Sequence, residues 1–386
     1  MKSGELMIQE LLTLEEIEDA EEQYKKQYGK EPFRISTWNP SLYYQDNVLL
    51  NRVKLPTEES LIDYIYSYEL EDALVEKIRG KLSGGSECVP FITNSGTASI
   101  ALTTSVLAQL GLCRFLILNP TYFAVFYNCL EKGINVRESY MRHQNGTYQL
   151  PKEEIRRILP EVDVIWLTNP IYNTGVSFSA ADVGFLKENV LPQKYLVVDE
   201  CFCENGLELV RLLGSSPHFI GIYDPMKQFL LNGAKFSVIM FPPALEDTFT
   251  QWSDIVCGSL SFSTLQAISF YLSDHADQLK YTINTANKHI LKQVRKTICE
   301  YPLAYLDENI VGHMMMCYLP QISAKSLSNF SDFLRFQLAT GVSIIPGTRF
   351  RFLESEGLSF RINMARYDPV LFLRAITKTC AFFFKQ

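Results

Sequence analysis

Lys227 stands in the segment Tyr223-Asp-Pro-Met-Lys-Gln-Phe-Leu-Leu-Asn-Gly-Ala-Lys235, so a second cation, Lys235, follows with Gly233 just before it. Upstream, the apolar run Tyr195-Leu-Val-Val198 stops abruptly at Asp199. A lysine amine can form a Schiff base with an aldehyde. A carboxylate at a strand end can keep a pyridine nitrogen protonated, so that the ring accepts electrons from a carbanion. The two residue types at this separation suit pyridoxal phosphate. Either residue alone is also what a surface lysine or a strand-end acid looks like, so the reading depends on what accompanies them.

Four further segments bear on it. Thr93-Asn-Ser-Gly-Thr-Ala-Ser99 follows an apolar run and opens a helix-like stretch from Ile100 to Leu110. A small-residue turn at a helix N-terminus is a ready phosphate site. Asn119-Pro-Thr-Tyr122 ends the next predicted strand and can set an aromatic ring against a cofactor. Thr168-Asn-Pro-Ile-Tyr-Asn-Thr-Gly175 ends the strand after that. Near the C-terminus, Ile345-Pro-Gly-Thr-Arg-Phe350 is followed by Ser359-Phe-Arg-Ile-Asn363, which puts Arg361 on a short strand.

In this order and near this spacing, the motifs resemble the fold type I pyridoxal phosphate enzymes, the aspartate aminotransferase superfamily (aminotransferase classes I and II). The resemblance runs from about residue 36 to the end. It implies the Schiff-base lysine for Lys227 and the pyridine-nitrogen partner for Asp199. It implies phosphate contacts for Ser95, Gly96, Thr97 and Lys235, and ring stacking for Tyr122. It implies a clamp on the substrate α-carboxylate for Arg361, with Asn39 as a second substrate contact. It also implies a homodimer with shared sites, in which a tyrosine between 64 and 68 reaches the partner's phosphate. Tyr64, Tyr66 and Tyr68 all stand there, and Tyr66 is preferred.

Several positions depart from the family pattern. Its usual Asn-Pro-x-Asn-Pro-Thr-Gly appears as Asn169-Pro-Ile-Tyr-Asn-Thr-Gly175, so the asparagine that bonds the cofactor's phenolic oxygen falls on Tyr172. Either Tyr172 takes that role or Asn169 does. The family's tyrosine after the aspartate is Phe202, and its phosphate arginine is Lys235, a point charge rather than a bidentate fork. The serines usual near the lysine are Asp224 and Met226. A carboxylate beside a phosphate repels it, so Asp224 is expected to pair with Lys235 or to face elsewhere. Similar departures occur in an arginine-modifying branch that resembles capreomycidine synthases and pyridoxal phosphate-dependent arginine oxidases.

The chain has 386 residues, enough for two domains with a substantial core. It is 47% hydrophobic and 20% charged, ordinary for a globular protein. A net charge of −7 without a basic block argues against nucleic acid as a partner. No apolar run approaches the ~20 residues of a membrane span, and the acidic N-terminus does not read as a signal peptide. Nine scattered cysteines, mostly in apolar runs, read as reduced thiols of a cytosolic protein. Cys201-Phe-Cys203 has the wrong spacing for a zinc knuckle, and no metal is expected.

Short apolar runs at 88–94, 114–119, 162–168, 194–200, 218–223 and 235–241 alternate with helical stretches at 97–110, 122–132, 151–159 and 180–189. That alternation predicts an α/β fold, a mostly parallel sheet flanked by helices. Ligands of such sheets bind beyond the carboxyl ends of the strands, where Asn119, Asn169 and Asp199 lie. From 261 to 299 the pattern predicts one long helix leading into a smaller α+β C-terminal domain. Runs at 314–319, 343–346 and 358–364 would form its sheet, and a helix from Pro369 to Phe384 would cover it. The expected division is an N-terminal arm at 1–48, a large cofactor-binding domain at 49–260 and the small domain at 261–386. Residues 9 to 28 read as an acidic amphipathic helix. It either faces solvent or lids the site and offers a carboxylate to a cationic substrate tail.

The expected function is removal of the α-proton of an amino acid followed by transamination. The alternative keeps the first half and diverts to elimination, cyclisation or oxidation of a basic amino acid such as arginine or a hydroxyarginine. A regulatory pyridoxal phosphate-binding protein would lack the lysine or carry a DNA-binding module, and neither is seen. A nicotinamide oxidoreductase would want Gly-x-Gly-x-x-Gly after the first strand, which Asn94-Ser-Gly-Thr-Ala does not provide.

Overall fold

The computed structural model describes residues 3–37, 39–49, 65–83, 87–144, 146–203 and 208–384. In chain order its strands are β1 (Phe33–Arg34), β2 (Val89–Thr93), β3 (Arg114–Asn119), β4 (Asn135–Tyr140), β5 (Arg142–Gln144), β6 (Thr147–Gln149) and β7 (Val164–Thr168). Then come β8 (Tyr195–Asp199), β9 (Phe219–Tyr223), β10 (Ser237–Phe241), β11 (Tyr305–Leu306), β12 (Met314–Leu319), β13 (Val342–Ser343) and β14 (Leu358–Asn363).

The residues of β7, β9 and β10 are buried along their whole length. A strand apolar on both sides needs cover on both faces, which βα crossovers supply. The seven-stranded sheet β2-β10-β9-β8-β7-β3-β4 is the result, with β10 antiparallel to both of its neighbours. The other pairs are parallel. Alternate side chains serve different cores. Phe115, Ile117, Trp166, Val197 and Ile222 pack on one face, and Leu116, Leu118, Leu167, Leu196 and Val198 on the other. Register sets Thr168 beside Asp199 and Asp199 beside Ile222, so the carboxyl ends of β7, β8 and β9 lie side by side.

The α/β expectation holds, with three differences of detail. The sheet has β4 at its edge, where the sequence Asn135-Val-Arg-Glu-Ser-Tyr140 shows no apolar run because only one residue of the strand is buried. The stretch from 261 to 299 is not one helix. It breaks at Leu272-Ser273 into Phe262–Tyr271 and Asp274–Ile298. The run at 343–346 splits: its start, in β13, pairs with β1 from the N-terminal segment, while Pro346 forms a single antiparallel bridge to Phe360 of β14. The C-terminal helix runs Phe372–Phe384. The N-terminal helix Ser3–Tyr28 packs on the helix Phe330–Thr340 of the small domain.

None of the nine cysteines is in a disulfide. Among the described residues no helix is long and apolar enough to cross a membrane, and no cluster of ligating side chains could hold a metal.

A buried polar cluster joins the β5–β6 hairpin to the small domain. His143 Nε2 lies 2.8 Å from Asp307 Oδ1, Tyr318 donates to Asp307 Oδ2 at 2.9 Å, and the Tyr148 and Tyr318 hydroxyls meet at 2.6 Å. The His143 and Asp307 side chains are 2% and 0% exposed. Removing one partner of a buried pair leaves the other desolvated and uncompensated, a loss of about 3–5 kcal/mol. Asp307→Ala should therefore lower the urea midpoint far more than Tyr148→Phe, which deletes one neutral hydrogen bond of about 1 kcal/mol.

Candidate active site

The strand ends close around a cleft of about 210 Å³ lined by Asn39, Tyr122, Tyr172, Asp224, Lys227 and Lys235 among others. That is below the ~300–1,000 Å³ of a drug-sized pocket and suits one substituted ring. Lys227 lies in a single helical turn, Pro225–Gln228, directly after β9. Its Nζ sits 4.7 Å from the Phe202 ring centre and 5.9 Å from that of Tyr122. Burial works against the charge on Lys227, but its acidic surroundings, Asp224 and Asp199 among them, outweigh it and raise the ammonium above its usual value. Burial holds the Cys201 thiol protonated, so the carboxylates supply the compensating charge.

Asp199 ends β8 and is 3% exposed. Its Oδ1 accepts from the Cys201 N–H at 3.0 Å, which fixes the carboxylate. The helix Gly96–Gln109 starts from Ser95, whose Oγ accepts from the Ala98 N–H at 3.2 Å. A Cβ on Gly96 would stand 3.4 Å from Cys201 Sγ and 3.5 Å from Asp224 Oδ2, so this helix N-terminus abuts the residues around Lys227. Thr97, beside it, is exposed. Lys235 reaches the cleft from the segment before β10.

The turn Asn169–Gly175 is bent by Asn173 at φ 64° and Gly175 at φ 74°. A Cβ on Gly175 would lie 2.5 Å from the Val311 carbonyl oxygen, so the segment around Val311 can approach only a glycine here. The Tyr172 phenol is held neutral by burial, against the pull of Arg361 and Lys227, and so keeps its proton to donate. Asn169 spends Nδ2 on Glu200 at 2.9 Å and Oδ1 on the Phe178 N–H at 3.1 Å. Glu200, pushed up to about 8 by burial, braces that amide and was not singled out in the sequence.

Arg361 is 1% exposed. Its Nε and Nη2 donate to the Ser36 carbonyl at 2.9 and 2.5 Å, its Nη1 donates to Asn173 Oδ1 at 3.3 Å, and its guanidinium lies 4.7 Å over the Phe350 ring. Burial lowers it to about 10, so it stays charged at neutral pH. Asn173, which the sequence reading passed over, is therefore the brace of Arg361. Its signal was visible only as an asparagine where the family carries proline.

Tyr66 stacks on Tyr68 at 5.4 Å and is not among the residues lining this chain's own cleft. Tyr68 donates to Asp254 Oδ2 at 3.3 Å, and Tyr64 lies outside the described residues. Two glutamates of the N-terminal helix are engaged with cations of this chain: Glu21 with Arg34 at 2.7 Å and Glu22 with Lys26 at 2.9 Å.

Among known proteins, no family model matches the chain. Histidinol-phosphate aminotransferases of three Buchnera aphidicola strains are 23% identical over 54% of this chain. The chain spans 57% of the length of those relatives. Among solved structures, an aspartate aminotransferase double mutant from Thermus thermophilus superposes with a TM-score of 0.75 at 16% identity, covering 96% of each chain. A methionine aminotransferase from Escherichia coli gives 0.73 at 12%, over 94% of this chain and 95% of the other. A pyridoxal phosphate-bound C-S lyase from Staphylococcus hominis gives 0.70 at 15%, over 92% and 93%. The chain has the fold of the fold type I aminotransferases.

The buried His313 feels the charges of this region. Burial, with Arg361 and Lys227 nearby, pushes its imidazole down to about 4. The unfolded chain takes up that proton near pH 6.5, whereas the folded chain resists it until about pH 4. Protonation thus favours unfolding, and His313 withdraws up to about 3 kcal/mol of stability as pH falls through that window. Its ring resonances should titrate near pH 4 by NMR, and His313→Gln should flatten this part of the stability profile.

Proposed function

We propose that this chain is a pyridoxal phosphate-dependent aminotransferase acting at the α-carbon of an amino acid. The observation that carries the reading is one amine, Lys227, set against two aromatic rings and between the carboxylates Asp199 and Asp224, with the buried fork of Arg361 beyond Tyr172. Buried polar atoms without partners support the fit. Asp224 Oδ1 and Asn173 Nδ2 both lack one, which is what a site built for a polar ligand leaves unspent.

Lys227 would hold the cofactor through its aldehyde carbon, Asp199 would face the ring nitrogen, and Tyr122 the ring. Tyr172 or Asn169 would meet the phenolic oxygen. Ser95, Gly96, Thr97 and Lys235 would take the phosphate, with Tyr66 supplied by a second copy in a homodimer. When bound, pyridoxal phosphate supplies a sink for the electrons left at the substrate α-carbon. Lys227 Nζ takes the α-proton and returns it during turnover. Asp199 holds a proton at the ring nitrogen through a charge-assisted hydrogen bond. Arg361 orients the substrate carboxylate with two parallel N–H donors, and Asn173 keeps that fork in plane, with Asn39 at the cleft's edge.

The second reading, elimination, cyclisation or oxidation of a basic amino acid, draws on Asp224, Lys235 and Phe202, all three at the cleft. The pairing of Glu21 and Glu22 with Arg34 and Lys26 gives it no support from the N-terminal helix.

Borohydride treatment of the yellow protein should add the cofactor's mass to the peptide containing Lys227, and label on Lys235 would refute the assignment. Asp199→Ala should keep the fold and cut turnover by orders of magnitude. Arg361→Lys should raise KM for an amino acid by roughly a hundredfold, the loss of one charge-assisted bidentate contact of about 3 kcal/mol. It should leave the visible absorbance intact. If KM for the matching decarboxylated amine rises as much, Arg361 is not the carboxylate clamp.

A further inference from the structure

Asp224 is the residue whose place in the cleft is hardest to reconcile with an anionic ligand. It is 4% exposed and lines the cleft with Lys227 and Lys235. Its Oδ2 lies against Gly96, at the start of the helix Gly96–Gln109, and its Oδ1 is buried without a hydrogen-bond partner. No ion pair joins it to Lys235 among the described residues, and it does not turn away. Neither expectation from the sequence is met: a carboxyl group faces the place where a phosphate would sit.

Resting on the function proposed above, we infer that Asp224 takes up a proton when the phosphate group binds and donates that proton as a hydrogen bond to a phosphate oxygen. An ionised carboxylate and a phosphate dianion cannot share a dry pocket without a large repulsive cost. A neutral carboxylic acid replaces the repulsion with a donor, and the buried, unpartnered oxygen receives a use. The proton comes from solvent, and no bond to carbon forms or breaks.

The surroundings bear on the balance. Lys227 on the same turn and Lys235 across the cleft favour the ionised form, as does the Met226 N–H. Burial, the largest effect, and Asp199 oppose it, and together they raise Asp224 above the usual carboxylate range. Cys201, beside Gly96, is a neutral thiol and adds no charge. The N-terminus of the helix Gly96–Gln109 favours an anion, and a phosphate there competes with Asp224 for that stabilisation. The arriving dianion therefore tips a group already shifted upward.

The test measures proton uptake by titration calorimetry of the full-length protein in two buffers of different ionisation enthalpy at pH 8. The phosphate ester is then already a dianion. Pyridoxal phosphate is compared with pyridoxal, so that the chemistry at Lys227 cancels. Wild-type protein should take up about one proton more with the phosphate ester than without it. Its affinity for the ester should fall about tenfold per pH unit above that point. Asp224→Asn, a neutral donor of the same shape, should show no difference in uptake and a flat affinity profile. Equal uptake for the two ligands in wild-type protein overturns the inference, and that comparison needs no variant to fold. A visible absorbance band without the proton difference overturns this inference alone. Absence of any band with pyridoxal phosphate overturns the proposed function and the inference together.

Discussion

A buried guanidinium is the constraint on which the rest of the architecture depends. Arg361 is out of water, and it is kept there by oxygens from distant parts of the chain. Ser36 supplies a carbonyl from the N-terminal segment and Asn173 an amide oxygen from the turn after β7. Each of these is held in place in turn. The Ser36 hydroxyl donates to the Arg361 carbonyl at 2.5 Å and accepts from the Ile345 N–H at 3.1 Å. Asn173 sits in a left-handed conformation that few residues adopt. An unpaired buried cation would cost several kcal/mol, so the segments carrying Ser36, Asn173 and Arg361 cannot drift apart without exposing that debt.

The same logic runs through the near wall. Lys227 gathers Asp199 and Asp224 because a partly buried ammonium needs negative charge close by. Parallel strands that end together deliver those carboxylates without long loops. The phenol of Tyr172 and the imidazole of His313, both under the influence of Lys227 and Arg361, are held neutral by burial and add no charge. Lys227 thus has carboxylates beside it, whereas Arg361 is held by the neutral oxygens of Ser36 and Asn173.

The sheet was legible in the sequence where burial on both faces writes an unbroken apolar run. Arg114–Asn119 and Met314–Leu319 fall where the pattern puts them. It was illegible at β4, an edge strand whose side chains are half exposed and carry charge, and at the Leu272-Ser273 break, where helical periodicity persists on both sides of a bend. The lysine and aspartate of the site were legible because their chemistry demands particular residue types at strand ends. Asn173, Glu200 and His313 were not. They act through hydrogen bonds and proximity that arise only when segments far apart in the chain meet, and no local spacing announces them. Asp224 lines the cleft together with Lys227 and Lys235, a placement that residue spacing alone does not reveal.

One reversal in the sheet gathers the cations of the site on the same side. Parallel strands present their tails to the cleft, so a residue preceding such a strand is stranded at the opposite rim of the sheet. β10 runs against its neighbours, with Val238 beside Tyr223, and its head is therefore level with their tails. Lys227 and Lys235 are carried by the single return of chain from β9 into β10. Whatever tugs that return, whether a ligand at one amine or strain at the other, is felt at both, so the two cations behave mechanically as one jaw.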